Sequence, residues 1–66
     1  MRVILNGQEE IVVDGTTVAQ LLLRRHVEPI RVAVEINEDI VRRGTFGDRV
    51  ICEGDRIEIA TFVGGG

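Results

Sequence analysis

Thr17-Val18-Ala19-Gln20-Leu21-Leu22 is the stretch on which the fold turns. The Thr17 hydroxyl can accept from the amide three residues on while Gln20 reaches back to the Thr17 amide, the reciprocal pairing of a capping box. A helix therefore starts at Val18. Val18, Leu21, Leu22 and Arg25 recur at helical spacing, which turns an apolar stripe towards a core and leaves Gln20 and Arg24 in water. Leu23 lies beside that stripe and is expected at the core edge. His26 is expected on the surface near the helix end, favoured by the helix dipole. Pro29 is expected to close the helical region, because it lacks the amide hydrogen a helix interior needs.

Upstream, Met1 to Leu5 is rich in strand-forming residues and runs into Asn6-Gly7, the dipeptide that best supplies the two positive φ angles of a type I′ hairpin turn. The second strand of that hairpin is expected from about Glu9 to Val13, ending at Asp14-Gly15. Downstream, Val32 to Ile36 reads as a strand with Val32, Val34 and Ile36 on one face and Ala33 and Glu35 on the other. Asn37 begins a turn. Residues 38–52 hold only the short apolar pairs Ile40-Val41 and Val50-Ile51 among Arg42, Arg43, Gly44 and Gly47, so irregular structure with at most one brief strand is expected. Glu53-Gly54-Asp55 makes a turn, with Gly54, like Gly7 and Gly15, supplying a positive φ. From Arg56 to Phe62 the chain alternates, with Ile57, Ile59 and Thr61 opposite Arg56, Glu58, Ala60 and Phe62.

A hairpin, a crossing helix and a returning strand favour a right-handed connection, with the N- and C-terminal strands adjacent at the sheet centre. Met1, Val3, Leu5, Val34, Ile36, Ile57 and Ile59 would then pack against Val18, Leu21 and Leu22. This predicts an α+β domain over residues 1–61, a mixed sheet of four to five strands with one helix packed on one face. That is the β-grasp, or ubiquitin-like, arrangement, followed by a flexible tail over residues 62–66.

Composition narrows the function. In 66 residues, 44% are hydrophobic, with two Phe and neither Trp nor Tyr, so the core is aliphatic and no deep enzymatic pocket is expected. Eight arginines lie scattered among eleven carboxylates at a net charge of −3, without lysine, which argues against nucleic acid and excludes isopeptide linkage to a lysine of an identical copy. Cys52 is the single cysteine and is expected to be a small buried hydrophobe. With one His beside it, no dedicated metal site is possible. No apolar run approaches the roughly 20 residues that cross a bilayer, and the first residues lack the pattern of a secretory signal, so a cytoplasmic protein is expected.

The most informative residues are the last. Gly64, Gly65 and Gly66 follow the alternating segment and are expected to form a terminal tail and not a linker, and a tail without Cβ atoms can thread a channel that excludes other residues. An α-carboxylate there is ionised at neutral pH, with a reference pKa of about 3.5, and is a poor electrophile until activated. The sheet face opposite the helix is expected to present Ile4, Ala33, Ala60 and Phe62, with Val63 next, among Arg2, Glu35, Arg56 and Glu58. An apolar patch with a charged rim suits transient docking.

Taken in order, the Asn6-Gly7 hairpin, Thr17-Val18-Ala19-Gln20-Leu21-Leu22, Val32-Ala33-Val34-Glu35-Ile36-Asn37 with Ile40-Val41, Glu53-Gly54-Asp55-Arg56-Ile57-Glu58-Ile59 and Phe62-Val63-Gly64-Gly65-Gly66 resemble the ThiS sulfur carriers of thiamine biosynthesis over nearly the whole chain. Arg42, where that family often has proline, and Cys52, commonly leucine, depart from its pattern. The resemblance implies a carrier without catalytic side chains or a permanently bound cofactor. It further implies that an adenylating, E1-like enzyme uses ATP to activate Gly66, with Gly64 and Gly65 threading its channel. Sulfur from a persulfide donor protein would leave a thiocarboxylate on Gly66 for thiazole synthase. Two alternatives stand beside it: a carrier of the same fold serving molybdopterin or cysteine synthesis, and an interaction module whose tail is only disordered.

Overall fold

The structure, a computed structural model, describes residues 1–62. Strands β1 (Arg2–Leu5) and β2 (Gln8–Ile11) form the first hairpin around Asn6 and Gly7, whose φ angles of 48° and 81° are the positive pair the sequence required. Met1 and Val12 extend this pairing, with the Val12 amide donating to the Met1 carbonyl at 2.8 Å and the α-ammonium of Met1 donating to the Val12 carbonyl at 2.7 Å. The second strand thus lies slightly earlier than expected. Val12 turns inward and is buried, and Val13 is left exposed.

Helix α1 (Val18–Arg24) opens with the expected capping box: the Gln20 amide donates to Thr17 Oγ1 at 3.2 Å and the Thr17 amide to Gln20 Oε1 at 3.0 Å. The first two helical amides, of Val18 and Ala19, donate to the carbonyls of Arg49 and Phe46, each at 2.9 Å. A distant loop therefore completes the cap. At the other end His26 adopts φ 58° while its amide donates to the Leu23 carbonyl and the Val27 amide to that of Leu22, which is a Schellman stop. Pro29 does not close the helix, as expected from sequence, but opens a separate 3₁₀ turn over Pro29–Arg31. Leu23 is not at the core edge either. In a helix of seven residues only one side meets the sheet, and Leu23, on the other, is 75% exposed.

Strands β3 (Val32–Ile36) and β4 (Asp39–Val41) form a second tight hairpin with positive φ at Asn37 and Glu38, and β5 (Arg56–Thr61) enters between β3 and β1. β5 runs antiparallel to β3, from Val32 opposite Thr61 to Ile36 opposite Ile57, and parallel to β1, with Ile4 opposite Arg56. The order β2-β1-β5-β3-β4 is the β-grasp arrangement, with five strands and one covering helix.

Val3, Leu5, Val34, Ile36 and Ile57 pack under Val18, Leu21 and Leu22 as expected, with Met1 and Ile59 half-buried at the margin. The segment after β4 contributes more than its irregular sequence predicts: Phe46 and Ile51 are both buried in the same cluster. Cys52, expected inside, is exposed. Ile51 takes the inward place, and the Cys52 amide is held by Asp55 Oδ2 at 2.8 Å, which leaves the thiol on the outside of the turn. Asp55 is itself buried, and its other oxygen accepts from Asn37 Nδ2 at 3.0 Å. One carboxylate thus ties the β3–β4 turn to the start of β5.

Candidate functional site

Alternation along β5 assigns its backbone groups to two neighbours. The Asn37 amide donates to the Arg56 carbonyl and the Phe62 amide to the Arg31 carbonyl, each at 2.8 Å, so even-numbered residues pair with the β3 side. Odd-numbered residues face β1, whose Asn6 amide donates to the Ile57 carbonyl at 2.8 Å. β5 is consequently held from within the sheet up to Phe62, and the tail departs from a fixed point. These bonds reach Phe62 on the β3 side, whereas backbone pairing with β1 reaches only Ile57.

On the sheet face away from α1, Ala60 lies opposite Ala33, Glu58 opposite Glu35, and Glu35 opposite Ile40 of β4. Phe62 continues this face beyond Ala60 and is 56% exposed, while Ile40 is also exposed. Phe62, Ala60 and Ala33 therefore adjoin. Ile4 does not join them: it is half-buried and stands opposite Arg56, four residues back along β5 from Ala60, roughly 13 Å at the usual rise per strand residue. Ile40 takes its place in the apolar surface. Sequence reasoning missed Ile40 because the pair Ile40-Val41 was read without its turn; positive φ at Asn37 and Glu38 makes a two-residue hairpin that faces Ile40 outward beside Glu35.

Val63, Gly64, Gly65 and Gly66 lie outside the described residues. Among the described residues there is no group of three or more His, Cys, Asp or Glu arranged to hold a metal, and no helix is long and apolar enough to cross a membrane. Among the described residues, four ion pairs join Met1 to Asp14, Arg2 to Glu9, Arg25 to Glu10 and Arg31 to Glu28, and none of them includes Glu35 or Glu58. The face bearing Phe62 therefore presents two carboxylates side by side among small apolar residues.

The sequence model of the ThiS family matches residues 2–66. Over 66 residues the chain is 44% identical to a thiazole synthase of Magnetococcus marinus and 36% identical to one of Paramagnetospirillum magneticum. It accounts for only 20% of each of these relatives, so it spans about a fifth of their length. It is 38% identical over 53 residues to the sulfur carrier protein ThiS of Bacillus subtilis, covering 80% of both chains. The crystal structure of a thiamine biosynthesis protein (ThiS) from Geobacter metallireducens matches with a TM-score of 0.85 at 30% identity, each chain covered in full.

Proposed function

The chain belongs to the ThiS family, and from that premise we propose that it carries sulfur for thiamine biosynthesis on the carboxylate of Gly66. The observation that carries the reading is the attachment of the Gly64-Gly65-Gly66 tail to a central strand held as far as Phe62, beside an exposed apolar face. The domain supplies a fixed origin and a recognition surface; the chemistry takes place in its partners. A carboxylate oxygen of Gly66 attacks the α-phosphorus of ATP in an adenylating enzyme, releasing pyrophosphate and forming an acyl-adenylate. A persulfide sulfur on a donor protein then displaces AMP, and a second thiol cleaves the sulfur–sulfur bond, becoming a disulfide as the thiocarboxylate is freed. Thiazole synthase takes the sulfur from that thiocarboxylate. Each step consumes the end of the chain and none uses one of its side chains. A cytoplasmic setting, where persulfides and thiols persist, fits this chemistry.

The proposal is tested by ATP–pyrophosphate exchange with the adenylating enzyme and by capture of thiazole synthase, both with the full chain. Exchange that depends on Gly66, together with capture, supports it; no exchange with an enzyme active on another carrier refutes it. The docking face has its own test. Phe62→Asp removes apolar contact area and places a charge next to Ala60 and Ala33, where a partner must exclude water. Phe62 is largely exposed, so the thermal midpoint should stay near that of the wild type, whereas affinity for thiazole synthase should fall roughly tenfold or more, about 1.4 kcal/mol. Unchanged affinity in calorimetric titration would remove Phe62 from the interface.

A further inference from the structure

On its β1 side, the hydrogen bonding of β5 ends in an unusual way. After Leu5 the chain turns back, so no backbone of β1 is left to serve Ile59, and the Asn6 side chain takes over: the Ile59 amide donates to Asn6 Oδ1 at 2.8 Å and Asn6 Nδ2 donates to the Ile59 carbonyl at 3.3 Å. A side-chain amide thus stands in for one residue of a strand. The next odd-numbered residue is Thr61, whose N–H and C=O point the same way by alternation. Among the described residues neither group has a backbone or side-chain partner. Beside it, on the helix-facing side of the sheet, an open cleft of about 330 Å³ is lined by Leu5, Glu10, Arg25, Val27, Ile59 and Thr61, with Asn6 and Gln8 at its rim.

We propose that this edge is a strand-addition site, in which an extended segment of the adenylating enzyme pairs with the backbone of Thr61. The inference rests on the sulfur-carrier reading. The occupant follows from continuity: an enzyme that draws Gly66 into its active site must pass residues 61–63, and the side of Thr61 towards β3 is already filled by the Phe62–Arg31 bond. Only the β1 side is open. Backbone pairing there gives affinity without side-chain complementarity, as in other strand additions.

Thr61→Pro tests this directly. Proline removes the N–H that points to the β1 side, and no bond to β3 is lost because Thr61 presents no backbone group to that side; proline is tolerated at such edge positions. A second variant, N-methyl-Thr61, is made by joining residues 1–51 to a synthetic 52–66 peptide at Cys52, the natural ligation point, and Thr61→Ser serves as the side-chain control. The expected result is native circular dichroism with a tenfold or greater rise in the KM for the carrier in ATP–pyrophosphate exchange for both the proline and N-methyl variants. Thr61→Ser should match the wild type. If the proline variant fails to fold, the N-methyl protein decides. Exchange within twofold of wild type in the N-methyl protein overturns the strand-addition site alone. Absence of exchange in the wild type itself overturns the sulfur-carrier reading and this site with it.

Discussion

Valine in place of Gly65 should leave the domain folded and lower adenylate formation roughly a hundredfold, about 2.7 kcal/mol of lost transition-state binding. Two physical effects act together. A branched Cβ widens the tail where a channel must enclose it, and it narrows the backbone angles open to the residue, including those available only to glycine. Neither effect touches the core, which is completed by Val3, Leu5, Val34, Ile36 and Ile57 beneath the helix, all well before residue 65. Thermal unfolding of the variant should therefore superimpose on that of the wild type while pyrophosphate exchange is nearly lost. Gly65→Ala should fall between the two. A valine variant adenylated at the wild-type rate would show that the tail is not enclosed, and the threading role assigned to Gly64 and Gly65 would fail.

Leu22→Ala should have the largest effect on stability. Leu22 is 0% exposed at the centre of the stripe that α1 lays on the sheet, and its carbonyl also accepts the Val27 amide in the helix stop. Truncating a fully buried leucine costs about 2–5 kcal/mol through lost transfer energy and an unfilled cavity. A domain of this size holds only roughly 3–10 kcal/mol in total. With a helix of seven residues and so thin a core, there is little to collapse into the gap, and a value near 3 kcal/mol is expected. Urea unfolding should show a lower midpoint at an unchanged slope, and the midpoint of thermal unfolding should drop by about 15 °C. A loss below about 1 kcal/mol would mean that the helix is not the principal cover of the sheet. Because Leu22 is fully buried and presents no surface to a partner, adenylation of the fraction that remains folded should be unaffected.

The contrast between these two variants follows what the chain made legible. Local signals were sufficient wherever one residue type has one physical use. Asn6-Gly7 fixed a two-residue turn, Thr17 and Gln20 fixed a helix start, and strict alternation in Val32–Ile36 and Arg56–Thr61 fixed which faces meet the helix. Those elements alone require the β-grasp order. What escaped was decided by long-range contact. Phe46 and Ile51 sit in a segment without periodicity, and they are buried because that segment folds over the helix start, where its carbonyls cap Val18 and Ala19. Cys52 is turned outward by the Asp55 carboxylate, a bond within a turn that composition cannot reveal. The helix stop was misplaced because a histidine, rather than glycine, adopts the positive φ at its end. At the site, Ala33, Ala60 and Phe62 were readable from alternation, whereas the grouping of Ile4 with them was not, since it depends on the parallel register of β1 with β5.

The central claim is that Gly66 bears the transferable sulfur. It is tested most directly by the intact mass of the full chain after incubation with ATP, the adenylating enzyme and a persulfide donor, alongside a chain truncated after Gly64. The account predicts a gain equal to the exchange of one oxygen for one sulfur, located by fragmentation at Gly66 and absent from the truncated chain. An unchanged mass, with an adenylating enzyme proven active on another carrier, would contradict it, as would the same gain in the truncated chain.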